Sequence, residues 1–269
     1  MTAAIDQLDP PIRGLILDMD GVLWRDSQPI GDLKTLFRQM RERGLRVLLA
    51  TNNATRSTRF YLDKLVGFGV HLEEWQVVTS AEATAEYLRR LFPNGGPLYV
   101  VGETGLKEAL AARGFTQAEE GVLAVVAGLD RDLTYEKLKR ATLLVNSGVR
   151  FIGTNPDRTL PTPEGDIPGA GTILAALEAS TGQKPLVIGK PAPAMFEVAL
   201  ARLETSPGET LVIGDRLETD IAGGQAVGCR TALVLTGVSS RSQGLSWSPP
   251  PDLILDAISD LFHPPHKSL

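Results

Sequence analysis

Short unbroken apolar runs alternate along the chain with longer stretches in which apolar residues recur every three or four positions. The runs are too short for helices and read as strands buried on both faces, as in a parallel sheet. Leu15-Ile16-Leu17 is the first, inside Gly14 to Trp24, GLILDMDGVLW. Asp32 to Arg43 follows as an amphipathic helix with Leu33, Leu36, Phe37 and Met40 on one stripe and Gly44 as its stop. Strands are predicted at 46–50 and 77–79, with a helix at 57–68 between them. This β-α-β-α-β alternation predicts a doubly wound parallel sheet.

A helix at 81–91 ends in Pro93-Asn94-Gly95-Gly96-Pro97, and a second alternation begins. It has strands at 98–101, 122–127 and 150–153 and helices at 106–113, 135–146 and 172–180, with a Pro-rich segment at 155–168. The predicted organisation is a core of 1–80 plus 184–269, with 81–183 inserted as a second α/β domain. Leu186 to Ile188 is expected to resume the first sheet. A helix at 194–203 follows, then a strand at 210–213, a glycine-rich helix at 218–228 and strands at 231–235 and 253–255. Residues 239–251, rich in Ser, Pro and Gly, read as a surface loop.

A length of 269 residues suits one large or two medium domains. The net charge of −5 argues against a general nucleic-acid or anionic-membrane binder. The amino terminus lacks a basic start and an apolar core, so no secretory signal is expected, and no apolar run is long enough for a membrane span. Cys229 is the only cysteine, which excludes an internal disulfide and fits a reduced, cytoplasmic setting. It reads as a small core residue. The three histidines have no metal-ligand partners at useful spacing.

Polar groups collect where predicted strands end: Asp18 and Asp20, then Thr51-Asn52-Asn53, then Lys190, then Asp215. In a parallel sheet these ends share one edge, where ligands bind. Three crowded carboxylates repel one another, and a bound Mg²⁺ with its preference for oxygen ligands removes that repulsion. Lys190 and the Thr51 hydroxyl would then hold an anion such as phosphate. Each piece also has a plainer reading. Asp-Gly makes turns, Thr-Asn-Asn caps helices, a lysine before proline is commonly a surface lysine, and Asp215 and Asp220 suit a helix N-terminus.

Taken together and in order, DMDGVLW, TNN, GKP and GDRLETD resemble the four motifs of the haloacid dehalogenase superfamily of phosphohydrolases. The likeness is strongest to its IIA branch, the NagD-like and 4-nitrophenyl phosphatase or phosphoglycolate phosphatase-like proteins. It covers almost the whole chain, and Gly153-Thr154-Asn155-Pro156-Asp157 is similar to a cap-domain signature of that branch.

The resemblance implies an α/β core with an inserted cap and a Mg²⁺-dependent phosphatase of small phosphorylated metabolites. Asp18 is the implied nucleophile, forming an aspartyl-phosphate, and Asp20 the acid and base. Asp18, the Asp20 backbone carbonyl and Asp215 are the implied Mg²⁺ ligands. Thr51, Asn52 and Asn53 are assigned to the phosphoryl group and Lys190 to charge neutralisation. Asp220 would orient Lys190 or a metal-bound water. Arg216 and Thr219, and in the cap Asn155, Asp157 and Arg158, would border the leaving group; Thr-Asn-Pro-Asp also reads as a structural turn. Asp132 falls where some relatives carry histidine, which leaves substrate choice among phosphoglycolate, nucleotides, sugar phosphates and pyridoxal phosphate open. Relatives suggest a homodimer through the cap. Asp20 argues against a dehalogenase, and only Arg25 to Gly31 separates the first motif from the next helix, too little for a mutase-type cap. A phosphoacceptor receiver module uses a similar pocket at about half this length, and a catalytically idle sugar-phosphate sensor would not need both Asp18 and Asp20.

Overall fold

The computed structural model describes residues 3–162 and 164–263. The chain divides into two compact units. One takes in the chain up to Thr51, Tyr61–Val78 and the chain from Phe196 onward; the other takes in Asn52–Phe60 and Thr79–Met195.

In chain order, β1 (Gly14–Leu17) precedes a two-stranded hairpin, β2 (Trp24–Arg25) and β3 (Gln28–Pro29). Next come α1 (Leu33–Glu42), β4 (Arg46–Thr51), α2 (Thr58–Gly67), β5 (Val77–Thr79) and α3 (Ser80–Leu91). The second alternation is β6 (Gly96–Val101), α4 (Thr104–Ala111), β7 (Phe115–Gln117), β8 (Ala124–Ala127), α5 (Tyr135–Asn146) and β9 (Arg150–Gly153). A hairpin, β10 (Thr159–Thr162) and β11 (Gly165–Pro168), leads into α6 (Ala170–Thr181) and β12 (Leu186–Val187). The chain closes with α7 (Pro193–Leu203), β13 (Thr210–Gly214), α8 (Ala222–Ala226), β14 (Arg230–Val234), α9 (Arg241–Ser246) and β15 (Leu253–Leu255).

The first unit is built on a sheet ordered β15-β14-β13-β1-β4-β5. β1 runs parallel to β13 on one side and β4 on the other, with Leu17 beside Ile213 and Leu49. The chain builds outward from β1 through β4 and β5, then returns to build the other way through β13. The switch point of the sheet therefore lies beside β1, the place where open α/β sheets bind their ligands. All four β1 residues are buried, which accounts for their unbroken apolar pattern. α1 turns Leu33, Leu36 and Met40 inward and is capped by Asp32, whose Oδ1 accepts the Thr35 N–H at 3.0 Å. Hydrogen bonding from the Thr35 side chain, followed by this one from its backbone, holds the Asp32 carboxyl below its ordinary pKa. Trp24, fully buried, stacks on Tyr61 at 6.5 Å between centroids and tilts against Phe68 at 6.1 Å.

The second unit holds a parallel sheet ordered β12-β9-β8-β6-β7. Its core joins Val101, Val125, Ala127 and Phe151 from the strands to Ala141, Val145, Ile173, Leu174 and Leu177 from α5 and α6.

Several expectations change. Leu186-Val187 does not resume the first sheet; it pairs with Ile152-Gly153 at the edge of the second. A short apolar run is acceptable to either parallel sheet, so its own pattern carries no address. The second unit accordingly runs further along the chain than the expected 81–183. The segment 155–168 folds into the β10-β11 hairpin, and 24–29 into β2-β3. Residues 239–251 contain α9, closed by a capping box in which the Ser240 and Gln243 side chains bond each other's backbone N–H. The predicted 218–228 helix opens as a π-helical turn, Leu217–Ile221.

Cys229 is buried just before β14, and burial pushes its thiol up to about 12. At pH 8 such a thiol is about one part in ten thousand thiolate. We expect no reaction with a thiol reagent in the native protein at pH 8 and prompt reaction once denaturant unfolds it; fast native labelling would contradict the buried placement. Among the described residues no helix is long and apolar enough to cross a membrane.

Candidate active site

The first unit gathers three acids at the carboxyl ends of β1 and β13. One carboxylate oxygen each from Asp18, Asp215 and Asp220 lies within 4.8 Å of the others. β1 delivers Asp18, whose N–H donates to the Ile213 carbonyl at 2.9 Å, and β13 delivers Asp215 directly after Gly214. Asp220 comes from the π-helical turn, where its Oδ2 accepts the Arg216 N–H at 3.2 Å. Asp215 and Asp220 are almost fully buried, while Asp18 is half-exposed. An all-oxygen donor set at this spacing fits a hard divalent cation, which would offset the mutual repulsion of the carboxylates.

The segment after β14, including buried Ser239 from the predicted surface loop, holds this cluster in place. After β14, the Val238 N–H donates to Asp215 Oδ2 at 2.8 Å and the Ser239 N–H to the Asp215 carbonyl at 3.0 Å. The Ser239 hydroxyl accepts the Leu217 N–H at 3.2 Å. Thr236 donates its hydroxyl to the Gly21 carbonyl at 2.5 Å, and Arg25 Nε donates to the Thr236 carbonyl at 2.7 Å. Gly237 is pressed so closely on Asp215 that a Cβ there would overlap the carboxylate. The sequence signal for this bracket was a Thr-Gly-Val-Ser-Ser run directly after a strand.

Asp20 stands apart from the three-acid cluster. It is exposed, and its Oδ1 accepts the Trp24 indole N–H at 2.8 Å. The Gly21 N–H closes the same turn onto the Trp24 carbonyl at 2.8 Å. Lys64 Nζ lies 4.2 Å from the centroid of the Trp24 ring. Burial lowers the Lys64 pKa, and the Asp20 and Asp26 carboxylates oppose that shift. A carboxylate that is solvent-facing yet fixed by one hydrogen bond suits proton exchange with a leaving group or water. Thr51 ends β4 and is buried; Arg216 and Thr219 are half-buried beside Asp215 and Asp220 in sequence.

The second unit gathers the remaining motif residues. Asn52 donates Nδ2 to the Lys190 carbonyl at 2.9 Å and to Asp157 Oδ1 at 3.1 Å. Its own carbonyl accepts Asn155 Nδ2 at 2.7 Å and the Ser80 hydroxyl at 2.6 Å. Asn155 Oδ1 accepts the Asp157 N–H at 3.1 Å, and Asn53 Oδ1 accepts both the N–H and hydroxyl of Thr55. Gly189 fits between strands because a Cβ would meet the Thr154 carbonyl at 2.5 Å and Asn52 Oδ1 at 2.7 Å. Lys190 is 3% exposed, which removes the surface-lysine reading. It follows β12, a strand of the second sheet, so the four polar strand ends do not all belong to one sheet, a correction to the four-strand picture. The 130–132 loop is braced: buried Asp130 accepts Lys137 Nζ at 2.8 Å, and Arg131 pairs with Glu103 at 2.9 Å.

Comparison with known proteins fits this arrangement. Residues 15–116 match the haloacid dehalogenase-like hydrolase family, and residues 187–261 match a second model of HAD-like hydrolases. The chain is similar to the 5'-nucleotidase YutF of Bacillus subtilis, 36% identical over 92% of this chain and 96% of that protein. This chain belongs to the haloacid dehalogenase-like hydrolases. It is a phosphoric monoester hydrolase of the NagD-like branch, with an α/β fold and a cap domain. An acid sugar phosphatase of Staphylococcus aureus is 37% identical over 89% of this chain and 92% of its own length. Among solved structures, NagD from E. coli K-12 superposes with a TM-score of 0.85 at 33% identity, covering 92% of this chain and 97% of NagD.

Proposed function

We propose that the protein hydrolyses small phosphate monoesters with Mg²⁺, through an aspartyl-phosphate on Asp18. The observation that supports this most directly is the cluster of Asp18, Asp215 and Asp220, two of them buried and Asp18 partly exposed. Only the accessible member can meet a substrate, so Asp18 is the nucleophile in this reading. Its carboxylate attacks phosphorus, the bond to the leaving oxygen breaks, and Asp20 supplies a proton to that oxygen. Asp20 then takes a proton from the water that cleaves the acyl phosphate, returning both residues to their starting state.

Asp18, Asp215 and the Asp20 backbone carbonyl would hold Mg²⁺, with Asp220 in the same acidic cluster. When bound, the ion neutralises charge on phosphoryl oxygens. Thr51 and Asn52 are assigned to those oxygens and Lys190 to their charge. The Asn52 side-chain bonds to the Lys190 carbonyl and to Asp157 give it a bracing part in addition. Asn53, Asn155, Asp157, Arg216 and Thr219 are proposed to border the substrate. The second unit is proposed to serve as the cap that selects the leaving group, in a reducing cytoplasmic setting.

A panel of nucleoside monophosphates, sugar phosphates, phosphoglycolate, pyridoxal phosphate and 4-nitrophenyl phosphate tests the reading. Phosphate release should occur with Mg²⁺ and fall to background with EDTA. Release that is indifferent to chelation, or absent for every ester, would remove this proposal.

A further inference from the structure

The first unit also carries a pocket of about 640 Å³ that the proposed chemistry does not use. It lies between α1 and the segments that lead into β4 and β5. Lys34, Arg38, Arg41 and Arg46 line it, with Phe37 and Trp75, and its lining contains no carboxylate. The chain as a whole has 32 acidic and 27 basic side chains, so four cations without an acid in one lining run against its background.

We infer that this pocket binds a nucleoside polyphosphate. Two of its cations are available. Lys34 and Arg41 are exposed and make no ion pair with any described residue. Arg38 sits 3.9 Å from Glu42 in an exposed pair, an arrangement that gives way readily to a stronger anion. Arg46 is held by Glu204 at 2.8 Å and lies over the Trp75 ring at 5.6 Å, a fixed wall of one guanidinium and one indole. Buried Val47 and Val70 supply an apolar lining. The volume suits a ligand of nucleotide size. Several separate cations call for several phosphates, and guanidinium groups match phosphate oxygens in pairs. The aromatic and apolar side calls for a flat body such as a base. An inorganic polyanion would leave that side unused, and an aryl carboxylate would use one cation only.

This pocket is distinct from the acidic cluster. Arg46 opens β4 and pairs in register with Gly14 at the start of β1, whereas Thr51 closes β4 and Asp18 follows β1 at the other end. Five residue steps along a strand separate the two edges by about 17 Å. With no carboxylate in the lining to act as nucleophile, the bound nucleotide is retained and not hydrolysed there. The inference stands apart from the phosphatase reading.

The test uses the full chain, adenosine 5'-(β,γ-imido)triphosphate as probe, binding calorimetry, and hydrogen exchange to locate the ligand. Exchange should slow in 33–47 and 69–76. Lys34→Glu with Arg41→Glu should weaken binding at least about tenfold, as loss of charged phosphate contacts does. Hydrolysis of 4-nitrophenyl phosphate without nucleotide should be unchanged. Should the double reversal fail to fold, Lys34→Gln with Arg41→Gln reads the same loss. Pyrophosphate should bind at least about tenfold more weakly than the nucleotide, since base stacking is absent. Protection confined to 15–24 and 210–220, equal affinity in the variants, or equal affinity for pyrophosphate would each overturn the inference.

Discussion

Asp18→Asn should abolish turnover, lowering kcat for 4-nitrophenyl phosphate by about a thousandfold or more while the fold persists. The amide keeps the shape of the side chain and loses the negative charge that makes its oxygen a nucleophile toward phosphorus. It also removes one of three neighbouring negative charges, so the metal-free variant should melt no lower than the wild type. Steady-state kinetics beside a thermal melt in EDTA reads both results. Undiminished hydrolysis would rule out a covalent step on this residue. Asp20→Asn provides the companion measurement. Nitrophenolate leaves readily without a proton, so the variant should lose more activity on alkyl phosphates than on 4-nitrophenyl phosphate. An equal loss on both would argue against Asp20 as the acid.

The second large effect is expected at Trp24. Its side chain is fully buried, stacks on Tyr61, tilts against Phe68, and bonds Asp20 through its indole N–H. Trp24→Ala should cost about 3–5 kcal/mol, the range for deleting a buried aromatic ring, and denaturant titration measures it. Trp24→Phe separates the two roles of the residue. It retains most of the packing and removes the donor to Asp20, so kcat should fall more than stability. A Phe variant with wild-type kcat would show that the indole does not position Asp20.

The comparison of Asp20 with Asp220 shows where local reading stops. Both acids follow a strand at short range; Asp20 was expected in the crowded acidic edge, and Asp220 behind it, orienting Lys190 or a metal-bound water. Nothing in the pattern indicated that Asp220 would share the cluster with Asp18 and Asp215 while Asp20 turned to Trp24. That outcome depends on a π-helical turn, which shifts side-chain directions relative to the predicted α-helix. The contacts made by the 236–239 bracket were hidden for a similar reason. Its backbone N–H groups do the binding, and side-chain identity says little about where an N–H points. The strand before Lys190 was expected in the first sheet and lies in the second.

By itself the sequence determined the two α/β alternations, the Asp32 cap of α1, the burial of β1 and Cys229, and the acids that follow β1 and β13. These are set by local physics: side-chain periodicity, helix capping and the apolar content of a four-residue strand. Tertiary structure decided which sheet received β12, how 24–29 and 159–168 paired as hairpins, which carboxylates converged, and that four basic side chains would line one pocket. Each of those outcomes depends on the choice among distant partners of nearly equal local fitness, and that choice is made by packing across the whole unit.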